Sequence, residues 1–130
     1  MSPHPLHDIC HREVEALVRQ VVGIESAAVV TGDGFEVASE LRDGVSPEKL
    51  AAMVSSLLAL SEAVAGELGM QQCRYVIVDT TAGSLVTLRI PVRSQQLLMS
   101  VLCSDQASLG TVLFASRDAA RALGDRLHGL

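Results

Sequence analysis

The spacing of apolar residues switches back and forth between the step of a helix and the alternation of a strand, and the order of those switches limits the fold more than any other feature. Leu6, Ile9, Cys10, Val14, Leu17, Val18 and Val21 recur at three- and four-residue steps, with His7, Asp8, His11, Arg12, Glu15 and Arg19 between them. That is an amphipathic helix, ended by Gly23. Ile24 to Thr31 is rich in Val and Ala and runs into Gly32-Asp33-Gly34, after which Phe35 to Leu41 alternates. Two such segments about a glycine-flanked Asp predict a β-hairpin, because glycine has no Cβ to resist a positive φ. Ser46-Pro47-Glu48-Lys49 opens a long helix: Ser46 caps it, Pro47 suits its first turn, and Lys49 stands where a full capping box has Glu. It is predicted to run to Glu67 or Leu68 and stop at Gly69. Three strands follow, Cys73 to Thr80, Ser84 to Pro91 and Gln96 to Cys103, with turns at 79–83 and 92–95. Leu109, Val112, Leu113, Ala120, Leu123 and Leu127 then stripe a terminal helix whose outer face carries Arg117, Asp118, Arg121, Asp125 and Arg126.

The order α-β-β-α-β-β-β-α predicts the α/β class of the α+β type: a five-stranded, mainly antiparallel sheet with helices on both faces. A chain of 130 residues removes roughly two thirds of its surface from water on folding, enough for one core. Residues 1–130 therefore read as a single domain, with about 6–128 structured. The 48% hydrophobic content and net charge of -5 exclude a disordered chain.

Composition also removes function classes. Phosphate neutralisation needs clustered Lys and Arg, and Lys49 is the sole lysine; Phe35, Tyr75 and Phe114 are the only aromatics for stacking on bases. No nucleic-acid partner is expected. Unbroken apolar runs such as Leu57 to Leu60 are short, against ~20 residues for a bilayer span, so no membrane insertion is expected. Cys10, Cys73 and Cys103 have neither an even count nor a CxxC spacing, and the N-terminus lacks a signal sequence. Both point to the cytoplasm.

The middle helix is anomalous. On a helical wheel Leu50, Met53, Val54, Leu57, Val64 and Leu68 form the expected core stripe. The opposite side holds Ala52, Ser55, Ser56, Ala59, Glu62, Ala63, Gly66 and Glu67, with no Lys or Arg. A solvated helix carries interleaved charge there, as the first and last helices do. A smooth strip of small residues lets another backbone come close, which marks a partner-facing helix. The run Val76-Ile77-Val78 is apolar on both faces and reads as a sheet edge closed by pairing across a two-fold axis. The expected homodimer interface is Ala52, Ser56, Ala59, Ala63, Cys73, Tyr75 and Ile77. Charge divides along the chain: residues 1–70 hold 4 basic and 11 acidic side chains, residues 71–130 hold 6 and 4.

Catalytic and cofactor motifs are not found. His7 and His11 share a helix face with Asp8 adjacent, but no third ligand stands at a diagnostic spacing, so these two and His4 read as surface histidines and no metal is expected. There is no Gly-x-Ser-x-Gly elbow, and Gly32-Asp33-Gly34 joins two strands without the lysine of a phosphate loop. No catalytic residue and no cofactor are expected. Arg42, Arg74, Arg89 and Arg93 have the chemistry of an inserted arginine finger, with nothing in the sequence to choose among them.

The element order and three local patterns resemble the Roadblock/dynein light chain superfamily: Gly23-Ile24-Glu25-Ser26-Ala27-Ala28-Val29-Val30 leading to Asp33-Gly34-Phe35-Glu36-Val37-Ala38-Ser39, the long helix from Pro47 to Leu68, and the strand Leu97 to Cys103 joined through Leu109-Gly110 to the last helix. The likeness spans nearly the whole chain, and the full first helix makes it most similar to the stand-alone bacterial MglB-like regulators of small Ras-like GTPases. The resemblance implies a profilin-like fold and a homodimer whose Cys73 to Asp79 strands pair into one sheet, with the Pro47 to Leu68 helices side by side. It also implies a platform for a small Ras-like GTPase, whose hydrolysis is stimulated by reorganising its own switch regions, with Ser55, Glu62 and Gly66 as docking candidates. The alternatives are an adaptor without effect on nucleotide turnover and a small-molecule sensor; few convergent polar residues in the strands argue against the last.

Overall fold

A computed structural model describes residues 5–128. The elements follow the expected order: α1 (Pro5–Gln20), β1 (Ile24–Thr31), β2 (Glu36–Glu40), α2 (Pro47–Glu67), β3 (Tyr75–Thr80), β4 (Gly83–Ile90), β5 (Leu97–Ser104) and α3 (Leu109–Leu127). The strands form one sheet in the order β2-β1-β5-β4-β3, every neighbouring pair antiparallel. Boundaries differ from expectation by a residue or two. The third strand starts at Tyr75, because the Cys73 N–H is taken by the Glu62 side chain, 3.0 Å away.

Strand alternation sends successive residues to opposite faces. Val29 of β1, Val86 and Leu88 of β4, and Met99 and Val101 of β5 meet Cys10, Val14 and Leu17 of α1 and Val112 and Leu123 of α3; all are buried in one cluster. On the other face Ala28, Val30 and Leu98 meet Ala51, Val54 and Leu58 of α2 in a smaller cluster. Full burial of a side chain such as Leu58 contributes about 2–3 kcal/mol. Cys10 and Cys103 are buried and free. Burial first, then the neighbouring Glu13 carboxylate, pushes the Cys10 thiol up to about 12, so it packs as a small apolar group.

The glycine-rich turn works through one of its two glycines. Gly34 has φ +96°, and a Cβ there would stand 3.1 Å from Ser55 Oγ; Gly32 keeps a negative φ. The turn closes with Gly34 N–H donating to the Thr31 carbonyl, 3.0 Å, and Thr31 N–H to that of Phe35, 2.8 Å. The β1–β2 hairpin is thereby seated against α2.

Candidate protein-binding surface

Helix α2 starts as expected: Ser46 is extended, its Oγ accepts from Lys49 N–H at 3.2 Å, and Pro47 occupies the first turn. It ends at Gly69, φ +68°, with Met70 N–H donating to the Ala65 carbonyl at 2.8 Å. Between these caps, Ala51, Val54 and Leu58 fasten it to the sheet. The expected core stripe is thus corrected at three positions: Met53 is 62% exposed, Val64 51% and Leu68 65%, together with Leu60 at 65%. The physical reason is that α2 is apolar nearly all the way round, so a wheel admits more than one inward stripe. Ala51 brings the helix close to the sheet, and the stripe of larger side chains turns outward.

The outward surface therefore combines Met53, Leu60 and Val64 with Ala52, Ser56, Ala59 and Ala63, all exposed. It has no basic residue. Contiguous apolar surface of this kind marks sites of protein or membrane contact. By length and composition α2 is also long and apolar enough to cross a bilayer, which corrects the expectation that nothing in the chain approaches such a span. Its sheet-facing residues hold it against β1.

Strand β3 adds a bare edge beside this helix. Among the described residues it pairs only with β4, while β2, the opposite edge, lies under α1. The expected interface residues divide between the two core clusters: Tyr75 and Ile77 of β3 pack partly against the α1/α3 cluster, and Cys73, just before the strand, packs partly against the α2 cluster with Val76. Of the docking candidates Gly66 is exposed with open space around it. Ser55 is half-buried and donates to the Ala52 carbonyl at 3.2 Å. Glu62 turns toward the sheet, 2.8 Å from Arg89, with both side chains 28% exposed.

The Arg89 hydrogen bond holds the Glu62 carboxyl below its ordinary 4.5; burial opposes this, and the Cys73 N–H and the Arg89 charge add to it. A depressed folded pKa gives stability that is fully present above the unfolded value and fades as pH falls through the folded one. The melting temperature of the wild type is accordingly expected to exceed that of Glu62→Gln near neutral pH and to converge on it below about pH 4. A gap that persists in acid, measured by circular dichroism, contradicts this ion pair.

The fold also brings together groups that the sequence separates. His11 Nε2 lies 3.9 Å from Glu40 of β2, and with Glu15 the ligand atoms of the three fall within 4.8 Å of one another. Glu15 is shared with Arg19 at 3.4 Å. His7 and His11 stack with ring centroids 5.8 Å apart, and His7 Nδ1 meets the Val37 carbonyl at 2.8 Å; His4 lies outside the described residues. Glu40 was invisible to a search by spacing because it joins α1 only through the packing of α1 on the hairpin. Two of the four arginines considered as fingers are engaged, Arg42 with Glu25 at 2.6 Å and Arg89 with Glu62.

An antiparallel sheet with two helices on one face and a single, outwardly apolar helix on the other defines an α+β domain of the profilin-like kind. The chain belongs to the Roadblock/LC7 domain family, which it matches over residues 11–92. It is 27% identical over 101 residues to the uncharacterised protein MJ1340 of Methanocaldococcus jannaschii, covering 78% of this chain and 85% of that one. Among solved structures it resembles a Roadblock/LC7 domain from Streptomyces avermitilis, with a TM-score of 0.80 at 20% identity over 90% of this chain and 96% of that one. It also resembles MglB of Myxococcus xanthus, with a TM-score of 0.79 at 17% identity over 100% of both chains. Profilin IB of Acanthamoeba castellanii shares the fold more distantly, with a TM-score of 0.61 at 14% identity over 90% of this chain and 98% of that one.

Proposed function

We propose that this protein is a homodimeric, non-catalytic regulator that binds a small Ras-like GTPase and stimulates its GTP hydrolysis. The observation that carries the reading is the outward face of α2, where Met53, Leu60 and Val64 stand exposed among Ala52, Ser56, Ala59 and Ala63 beside the unpaired edge of β3. Pairing of two β3 edges extends the sheet and sets two α2 helices side by side. Ala52, Ser56, Ala59, Ala63, Cys73, Tyr75 and Ile77 serve that contact, and Ser55, Glu62 and Gly66 border the surface left for the GTPase. The likeness in fold to MglB supports the choice of partner class. Stimulation then comes from ordering the GTPase's own switch segments.

The test is a titration of the purified protein into a Ras-like GTPase encoded in the same genome, loaded with GTP, followed by calorimetry and by single-turnover hydrolysis. Binding with faster hydrolysis is the expected result. Binding without a change in rate reduces the role to that of an adaptor, and no binding removes the reading.

A further inference from the structure

A second surface lies away from the outward face of α2, and its chemistry is the reverse of the rest of the chain. The loop before β3, the end of β4 and the start of β5 enclose a cleft of about 610 Å³, within the size range of ligand sites. Its walls carry Arg74, Arg89 and Arg93 with the amides of Gln72, Gln95 and Gln96, and no Asp or Glu is among the lining residues. In a chain with a net charge of -5 this gathers three of the nine arginines around one opening. Among the described residues Arg74 and Arg93 take part in no ion pair. Arg89 forms the fixed wall, held by Glu62 at 2.8 Å, and among the described residues its buried Nε has no hydrogen-bond partner.

We propose that this cleft binds an acidic, extended segment of a partner protein, with Arg74 and Arg93 taking its carboxylates and the three glutamine amides taking its backbone. The lining separates this occupant from a free phosphate. Sites for a free phosphate are commonly built on the N–H groups of a helix N-terminus or a glycine-rich nest, whereas every lining residue here belongs to a strand end or a connecting loop. Several guanidinium forks on the walls of one cleft can each take a carboxylate, and primary amides supply both the donors and the acceptors that a peptide backbone requires. The proposal does not rest on the GTPase reading and is tested with this chain alone, although Cys73 of the proposed dimer contact also lines the cleft and Glu62 at the border of the GTPase surface holds Arg89.

The experiment is fluorescence anisotropy of the full chain with a short labelled peptide of alternating Asp and Glu, alongside the same peptide with Asn and Gln in their place. The acidic peptide is expected to bind, to weaken as salt is raised, and to lose at least about tenfold in affinity in Arg74→Gln/Arg93→Gln. Arg121→Gln, on the outer face of α3, is expected to bind as the wild type does. Arg93→Gln alone, in the exposed β4–β5 connection, gives an intermediate loss and guards against a folding defect in the double variant. Equal binding of the neutral peptide, no loss in the double variant, or inorganic phosphate binding where the peptide does not would each overturn the proposal.

Discussion

Gly83→Ala is expected to destabilise the fold by about 3 kcal/mol and to lower the melting temperature by roughly 10 °C. Gly83 opens β4 with φ +149°, a conformation that side-chain-bearing residues rarely adopt, and a Cβ there would stand 2.2 Å from the Cys103 carbonyl oxygen and 3.2 Å from Ser104 Cα. Both obstacles are backbone. They belong to the β4–β5 ladder, in which Gly83 faces Ser104, and on its other side Gly83 faces Thr80. Relief of the clash therefore means giving up backbone pairing at the start of β4, while a flexible side chain would simply have swung away. Ala82→Ser next door, at an exposed turn position, is expected to leave the melting temperature within about 2 °C. Equal melting curves for the two variants would show that the ladder yields where the geometry says it cannot.

Ala59→Arg is expected to leave the protomer folded and to weaken self-association by at least about a hundredfold. Ala59 is exposed on the outward side of α2, so the substitution removes nothing from either core cluster and should change protomer stability by less than about 0.5 kcal/mol. In the proposed dimer the same position lies between two helices, where a guanidinium is desolvated without a partner. Sedimentation of the wild type is expected to show a dimer and that of the variant a monomer. A dimeric variant means the interface lies elsewhere, and a monomeric wild type removes the dimer itself. Ile77→Asp is the poorer probe, because Ile77 packs partly against the main cluster and its loss disturbs fold and association together.

Element type and order were legible because each rests on local chemistry. Ser46 and Gly69 mark the ends of α2, Gly23 separates α1 from β1, and the apolar stripes of α1 and α3 are narrow enough to have one inward solution, which the burial of Cys10, Val14 and Leu17 and of Val112, Leu123 and Leu127 reproduces. The middle helix was misread where its pattern is degenerate. Met53 and Ala51 are both acceptable to an apolar interior, and only the closeness of α2 to Ala28, Val30 and Leu98 selects the smaller one. Sheet order had no local signature: the neighbours β1 and β5 stand more than sixty residues apart in sequence. The cleft of Arg74, Arg89 and Arg93 and the meeting of His11 with Glu40 share that cause, since their members converge only through long-range packing.

The central place of β5 has a consequence for how the chain is made. Ile24–Thr31 pairs on one side with Glu36–Glu40, which leaves the ribosome soon after it, and on the other with the central strand Leu97–Ser104, which follows more than sixty residues later. Until then the nascent polypeptide has two hairpins and two helices but no continuous sheet against which to close, and the entropy of joining its halves is met in one late step. Cooperative folding of this domain thus waits until Leu97–Ser104 has been made. A product cut short after Pro91 would keep both hairpins yet lack the strand that unites them, so acquisition of tertiary structure is tied to the synthesis of this one segment.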